Sequence, residues 1–147
     1  QTPVYETIHA MFEKQAEKTP DAHAVIDQAC SLTYRELNKA ANRLARHLRM
    51  KGVVRQEPVA IMMERSAAFI TGVLGILKAG GAIVPVDPHY PADRIRYILH
   101  DCGCSHVVSQ AHLSSSLEDN YIITHPEDIE SKVDGSNIKS VKYSLRH

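Results

Sequence analysis

Hydrophobic residues recur at two different periods along this chain, and the change of period separates predicted helices from predicted strands. From Glu6 to Lys18 and again from Leu37 to Leu48, apolar positions lie three and four residues apart, as on one side of an amphipathic helix. The segments Pro58 to Met63 and Ile83 to Val86 are nearly continuous apolar runs. Such runs are typical of strands in a sheet that is covered on both faces.

The second helix carries the most complete set of local signals. Thr33 and Glu36 have the spacing of a capping box, and Leu32 and Leu37 have that of a hydrophobic staple. Gly52 is the predicted stop. The apolar stripe of this helix consists of Leu37, Ala40, Ala41, Leu44, Ala45 and Leu48. Five basic residues lie mostly off the stripe and are interpreted as a solvated face: Arg35, Lys39, Arg43, Arg46 and Arg49.

A third helix is predicted between a Ser66 cap and the glycine pair Gly80 and Gly81. Either glycine can adopt the left-handed conformation that ends a helix, because glycine has no Cβ atom. A wide apolar face predicts deep burial of five side chains: Phe69, Ile70, Val73, Leu74 and Leu77.

Shorter elements complete the pattern. A strand is predicted at Ala22 to Ile26, followed by a turn at Gln28 to Ser31. Pro91 fits the first position of a helix that ends at Gly103, and a further strand spans Ser105 to Ser109. In that helix we expect Asp93 in the first turn, and we expect the side chains of Ile95, Ile98 and Leu99 to face the core. The resulting β-α-β-α-β-α-β order predicts an α/β fold with a mostly parallel sheet, flanked by helices and joined by right-handed crossovers.

The last quarter of the chain is more polar. Residues 1–110 are interpreted as the main α/β portion, and residues 111–147 as a tail of the same domain. In the tail we expect one edge strand within Tyr121 to Thr124, a helical turn near Pro126 to Glu130, and a poorly ordered end.

The composition and the apolar pattern argue against several classes of function. Seventeen basic residues balance seventeen acidic ones in a chain of 147 residues that is 44% hydrophobic, so the basic surface of a nucleic-acid-binding protein is not expected. The longest apolar run, Ala67 to Leu77, is too short to cross a membrane. No secretory signal opens the chain, and three cysteines do not form a disulfide framework, which favours the cytoplasm. Gln1 at the start suggests a piece of a longer polypeptide.

Two segments offer possible chemistry, and neither forms a convincing site. Gly75 to Gly80 superficially suggests a phosphate loop, but Gly81 and Ala82 stand where Lys and Ser or Thr are needed, and the helix precedes the loop. Four potential metal ligands lie within seven residues: His100, Cys102, Cys104 and His106. Their C-x-C spacing is unfavourable for tetrahedral zinc, so buried structural thiols are the preferred interpretation.

Two motifs give the chain a family resemblance. "LTYREL" (Leu32 to Leu37) and "LKAGGAIVPVDP" (Leu77 to Pro88) resemble the first two core motifs of amino-acid adenylation domains in nonribosomal peptide synthetases. "VAIMMERS" (Val59 to Ser66) and "YPADRIRYILHDCG" (Tyr90 to Gly103) resemble the same family in the same order. The resemblance extends to about Gln110 and implies an incomplete, N-terminal portion of the adenylate-forming fold.

The resemblance implies an AMP-forming amino-acid ligase that uses ATP and Mg²⁺ and passes the aminoacyl group to phosphopantetheine on a carrier domain. The family's Ser/Thr/Gly-rich phosphate loop, its adenine- and ribose-binding motifs, its amino-acid pocket and its catalytic lysine have no counterpart in this sequence. We therefore assign no catalytic, cofactor-binding or metal-binding residue, and expect a scaffold fragment that is inactive alone. The expected partners are the rest of the domain, carrier and condensation domains, and a second copy through an uncovered face. A stand-alone α/β binding module is the alternative, and the reading frame beyond residue 147 would distinguish the two.

Overall fold

The computed structural model describes residues 7–26, 31–115, 117 and 120–129, which form a mixed α/β domain. Its helices are α1 (Ile8–Lys18), α2 (Tyr34–Met50), α3 (Ala67–Lys78) and α4 (Ala92–Asp101). Its strands are β1 (His23–Ile26), β2 (Ser31–Thr33), β3 (Pro58–Met62), β4 (Ala82–Pro85), β5 (His106–Ser109) and β6 (Ile122–Thr124), followed by a 3-10 turn (Pro126–Asp128).

Four of the strands form the predicted parallel sheet, in the order β4-β3-β5-β6. Pro58 pairs with Ala82, Val59 with His106, and His106 with Ile122, so all four strands run in the same direction. The central strand β3 is fully apolar along its length and contacts a neighbour on each side. The mostly parallel sheet predicted from the alternation of elements is therefore confirmed.

Alternate residues of β3 enter two separate cores. Val59 and Ile61, together with Met63 directly after the strand, pack with Leu44, Leu48 and Ile76 from α2 and α3. Ala60 and Met62 pack on the other face with Ile95 and Leu99 from α4, as predicted for those two residues of α4. Because successive side chains of a strand point to opposite faces, one buried strand serves both cores. A continuous apolar run is the sequence pattern that this arrangement requires.

The predicted signals of α2 are all present. Thr33 Oγ1 accepts from the Glu36 N–H at 3.2 Å, and Glu36 Oε1 accepts from the Thr33 N–H at 2.9 Å. These hydrogen bonds hold the pKa of the Glu36 carboxyl below its usual range. Leu32 packs against the cluster that contains Leu37, as the staple predicts, and Gly52 follows the helix with φ +103°. The predicted stripe is buried except at Ala40, which is half-buried.

Burial in α3 differs from the prediction. Leu74 is buried, but Phe69, Val73 and Leu77 are only half-buried and Ile70 is 37% exposed. The buried positions are instead largely small or polar: Ala67, Thr71, Gly72, Gly75, Ile76 and Lys78. The reason is that α3 lies against both α2 and the sheet, where close approach favours residues with little side chain.

Two glycines permit this close approach. A Cβ atom built at Gly75 would lie 2.5 Å from Leu44 Cδ2 and 2.9 Å from Leu44 Cβ, and one at Gly72 would lie 2.7 Å from Ile61 Cδ1. The buried Lys78 amino group donates to the Glu13 carboxylate and joins α3 to α1. The chain leaves α3 through Gly80 (φ +91°), one of the two glycines predicted to end it.

The amino-terminal strand lies outside the parallel sheet, contrary to the predicted order. β1 pairs antiparallel with β2, His23 opposite Thr33 and Ile26 opposite Ser31, in a two-stranded sheet of their own. Ser31, predicted to lie in a turn, begins β2, whereas Gln28 lies outside the described residues. This pairing was missed because β2 has only three residues and its Thr33 also serves as the cap of α2.

The remaining boundaries agree with the predictions to within one or two residues. Pro91 precedes α4 instead of occupying its first position, and Gly103 ends the segment with φ +70°. β6 and the 3-10 turn confirm the strand and the helical turn expected in the tail. Leu113, Tyr121 and Ile123 pack against the α4 core, so this part of the tail supplies apolar cover. The end of the chain, expected to be poorly ordered, lies outside the described residues.

Candidate functional site

The chain reverses its direction of travel across the sheet beside β3. It proceeds from β3 to β4 at one edge, and then returns past β3 to β5 and β6 on the other side. In open parallel sheets, ligands bind at the carboxyl ends of the strands near such a reversal. The loops that follow β3, β4, β5 and β6 therefore define the edge of the molecule that is expected to be functional.

A cleft of about 510 Å³ opens at this edge between the loops after β3 and β4. Its floor contains Ile61 and Val86, and Phe69 and Tyr90 contribute aromatic walls. Its polar rim comes from residues directly after the two strands, namely Glu64, Arg65, Asp87 and His89. Small-molecule sites combine apolar walls with polar groups that fix the ligand, and this cleft has both.

The acidic groups of the rim are engaged with His89. Glu64 Oε1 lies 3.0 Å from His89 Nε2, which joins the two loops across the cleft. Asp87 Oδ1 accepts from the His89 N–H at 2.9 Å and fixes the turn after β4. Both partners of the Glu64–His89 pair are more than half exposed, so water screens their attraction and its contribution to stability is small.

Two arginines stack on aromatic rings at the same edge. The Arg65 guanidinium carbon lies 5.5 Å from the Phe69 ring centroid, and that of Arg94 lies 4.2 Å from the Tyr90 centroid. Stacking of this kind orients a guanidinium group and leaves its N–H groups able to donate to a ligand.

β5 is joined to β3 directly beneath this edge. Ser109 is fully buried and its hydroxyl donates to the Met62 carbonyl at 2.7 Å. This bond lies across the β3–β5 junction, at the position where the chain changes direction. Its effect is to fix the two central strand ends relative to each other.

The described residues do not fit a triphosphate–magnesium site. The segment from Gly75 that superficially suggests a phosphate loop is the last turn of α3, where the Gly75 carbonyl accepts from the Ala79 N–H and its Cα packs on Leu44. Within the described part of the chain, no three His, Cys, Asp or Glu residues cluster as metal ligands.

The four possible zinc ligands do not point to one centre. Cys102 is exposed at the end of α4, whereas Cys104 is buried in the α4 core. Burial, with a smaller contribution from Cys102, raises the pKa of the Cys104 thiol to about 11, so it is protonated at neutral pH and a poor metal ligand. His106 is buried at the start of β5, with Nε2 3.5 Å from Glu57 Oε2.

The cleft itself was not predicted. Glu64 and Asp87 were interpreted only as parts of sequence motifs, and His89 was not singled out, although Glu64 and Asp87 each follow directly after an apolar run. That position was an available signal, because side chains after parallel strands gather at one edge. Which strands are neighbours is not visible in the sequence, so the two loops could not be paired in advance.

The chain belongs to the AMP-binding enzyme family, whose model matches residues 12–142. A plipastatin synthase of Bacillus subtilis (strain 168) is 99% identical over 141 residues, and gramicidin S synthase 2 of Brevibacillus brevis is 48% identical over 140 residues. These matches cover 96% and 95% of this chain but only 4% and 3% of the two synthases. The chain therefore corresponds to the N-terminal part of an adenylation domain of a nonribosomal peptide synthetase.

Solved structures of this class have the same fold. The crystal structure of the nonribosomal peptide synthetase FmoA3 (S1046A) superposes with a TM-score of 0.86 at 31% identity, over 93% of this chain and 15% of that one. Its form bound to alpha-methyl-L-serine-AMP gives a TM-score of 0.87 at 30% identity, over 94% and 16% of the respective chains. In the described part of this chain, no helix is both long and apolar enough to cross a membrane.

Proposed function

We propose that this chain supplies the N-terminal scaffold of a domain that activates an amino acid with ATP, in an AMP-forming ligase of nonribosomal peptide synthesis. The observation that carries the proposal is the superposition of 94% of the chain on the adenylate-bound FmoA3 structure. The scaffold's contribution is the sheet edge and the two loops that bound the cleft, held by the Ser109–Met62 and Glu64–His89 contacts.

In the complete domain, ATP and Mg²⁺ are the proposed cofactors, and phosphopantetheine on a carrier domain is the proposed acceptor of the activated amino acid. The proposed partners are the rest of the adenylation domain and the carrier and condensation domains of a cytoplasmic synthetase that makes a peptide antibiotic. Positioned cations and hydrogen-bond donors account for most catalysis of phosphoryl and nucleotidyl transfer. Since no three His, Cys, Asp or Glu residues cluster in the described part of the chain to hold Mg²⁺, the chain alone is proposed to be inactive.

Isotope exchange between ATP and pyrophosphate tests this proposal. We expect the isolated chain to give background exchange with each of the twenty amino acids, whereas a complete adenylation domain of gramicidin S synthase 2 serves as the positive control. Exchange above background that disappears after heat denaturation would show that the chain contains a working site, and the scaffold role would be wrong.

We also propose that the isolated chain self-associates through the incompletely covered side of α3. Ile70 is 37% exposed there, and Phe69, Val73 and Leu77 are half-buried. Contiguous apolar surface of this kind favours association in water. Light scattering after size exclusion at tens of micromolar should report a dimer or larger species. A monomeric mass, together with no binding of a hydrophobic dye, would contradict this.

A further inference from the structure

A Ser–His–Asp arrangement joins the turns that follow β5 and β6. Ser114 Oγ lies 2.8 Å from His125 Nε2, and His125 Nδ1 lies 3.5 Å from Asp128 Oδ2. When the imidazole carries its proton on Nδ1, toward Asp128, Nε2 has the free lone pair that accepts from the Ser114 hydroxyl. A nucleophile hydrogen-bonded to a base, with a carboxylate facing the other nitrogen of that base, is the order of groups that activates a serine.

We propose that Ser114 is an activated nucleophile that accepts an acyl group from a small activated ester, with His125 as its base. Asp128 is the positioning residue, because it touches only the imidazole. This inference goes beyond the proposed scaffold function and does not depend on it. The site lies at the same carboxyl edge of the sheet as the cleft, but none of its three residues lines the cleft.

Backbone contacts hold the two turns in place. The Gln110 carbonyl accepts from the N–H groups of both Leu113 and Ser114, which closes the turn that carries the serine. The Ala111 N–H donates to Glu127 Oε2 at 3.0 Å and joins that turn to the one carrying Asp128. Geometry fixed in this way lowers the entropic cost of bringing the serine and the histidine together.

Exposure increases in steps from the serine outward. Ser114 is 7% exposed, whereas the side chains of His125 and Asp128 are 25% and 74% exposed. Because the serine is the least exposed of the three residues, only a small acyl group is expected to fit at its hydroxyl. The Ser114 hydroxyl can also donate to the Ala111 carbonyl at 3.3 Å, a longer contact that competes with the one to His125.

The proposed step is a simple acyl transfer. Ser114 Oγ attacks the acyl carbon and its proton moves to His125 Nε2. A new Oγ–C bond forms as the bond from the acyl carbon to the leaving oxygen breaks, and the proton passes from Nε2 to that oxygen. No atom changes oxidation state, and the product is one acylserine per chain.

Acetylation by p-nitrophenyl acetate tests the proposal on the full 147-residue chain. Intact-mass measurement should show one added acetyl group, and peptide mapping should place it on Ser114. General-base assistance contributes about 10²–10⁴-fold. We therefore expect His125→Gln to slow labelling at least tenfold and Ser114→Ala to abolish it. His112→Gln and Ser115→Ala remove an exposed histidine and an exposed serine from the same turn, and should label at the wild-type rate.

The role of Asp128 has a readout of its own. Asp128→Asn should slow labelling, and Asp128→Glu should restore most of the rate, because a carboxylate again faces Nδ1. Circular dichroism identifies any variant that fails to fold. If Ser114→Ala fails to fold, the acetylation site mapped in the unmodified chain and the labelling rate of His125→Gln still test the proposal. Absence of acetylation, acetylation mapped elsewhere, or an unchanged rate in His125→Gln would overturn the proposal.

Discussion

Helices α2 and α3 lie against each other but bury their surfaces by different rules. α2 presents one apolar stripe and Asn42 to the core, its basic residues Arg43, Arg46 and Arg49 are half-buried rather than fully solvated, and its capping box and the following Gly52 mark both ends. α3 approaches α2 and the sheet closely at two glycines and reaches α1 through a buried lysine, while several of its large apolar residues stay partly exposed. The comparison teaches that apolar periodicity locates the buried face of a helix with one packed side. Apolar periodicity fails for a helix that packs closely against neighbours on two sides.

The largest loss of stability is expected when the buried ion pair that joins α3 to α1 is broken. Lys78→Met removes the buried cation facing Glu13, and breaking a buried pair costs about 3–5 kcal/mol. Urea unfolding of Lys78→Met and of the control Lys18→Met, an exposed lysine at the end of α1, measures this difference. The double change Glu13→Gln with Lys78→Met should recover part of the loss. Equal midpoints for Lys78→Met and Lys18→Met would mean that α3 does not depend on the pair.

The glycine contacts of α3 provide the second test. Gly75→Ala should lower stability by about 1–2 kcal/mol. Overpacking costs about 1–3 kcal/mol, and the better helix propensity of alanine offsets at most about 1 kcal/mol of this. Its new Cβ would meet the inner atoms of Leu44, which cannot move away without the helix. Gly72→Ala is the matched control, since its Cβ would clash only with the terminal methyl of Ile61, and its other neighbours lie at ordinary contact distance. A Gly75→Ala protein as stable as Gly72→Ala would show that α2 and α3 can separate freely.

The caps of the two helices should differ in strength. Thr33→Ala removes the side-chain half of a capping box, and we expect a loss of about 1 kcal/mol. Ser66 caps α3 through the Phe69 N–H at 3.3 Å, and its hydroxyl also donates to the Glu64 carbonyl at 3.2 Å. Because it has no reciprocal side-chain bond of the capping-box kind, Ser66→Ala should cost less than Thr33→Ala. Urea midpoints at constant slope compare the two directly. A larger loss in Ser66→Ala would reverse the order proposed here.

The smallest expected effect is a dependence of stability on pH, which comes from Glu36 of the same capping box. The pKa of Glu36 is lower in the folded chain than the ordinary glutamate value, because its carboxylate accepts hydrogen bonds from Thr33. The contribution of Glu36 to the free energy of unfolding is therefore complete at a pH above the ordinary glutamate pKa. It is lost as the pH falls through the lowered pKa of the folded chain. The stability difference between the unmodified chain and Glu36→Gln should be constant near neutrality and shrink in acid. A difference that grows in acid would give the opposite sign and disprove the assignment.

Local signals predicted the elements that depend on local interactions. The cap, staple and glycine stop of α2 involve residues close together in sequence, and all three were found where expected. The β3 strand was recognised because burial on both faces leaves a continuous apolar run. The resemblance of Leu32 to Leu37 and Leu77 to Pro88 to adenylation domains then gave the family, which the family match confirmed.

Features that depend on distant contacts were missed or wrong. The pairing of β1 with β2 and the burial of Lys78 depend on partners that sequence spacing does not specify. The cleft and the Ser114–His125 contact depend on strand order, because they join loops that follow different strands. Tertiary neighbours therefore decided both the burial of α3 and the position of the candidate sites.

The position of β6 has a consequence for recombining peptide synthetases. β5 ends at Ser109, and its neighbour in the sheet begins only at Ile122, with Val107 opposite Ile123. A crossover between two parental genes within that interval would give adjacent strands different ancestors, and Leu113 and Ile123 would face a core that they did not coevolve with. Hybrid enzymes joined on the far side of Thr124 keep the four strands from one parent, and should tolerate the exchange better.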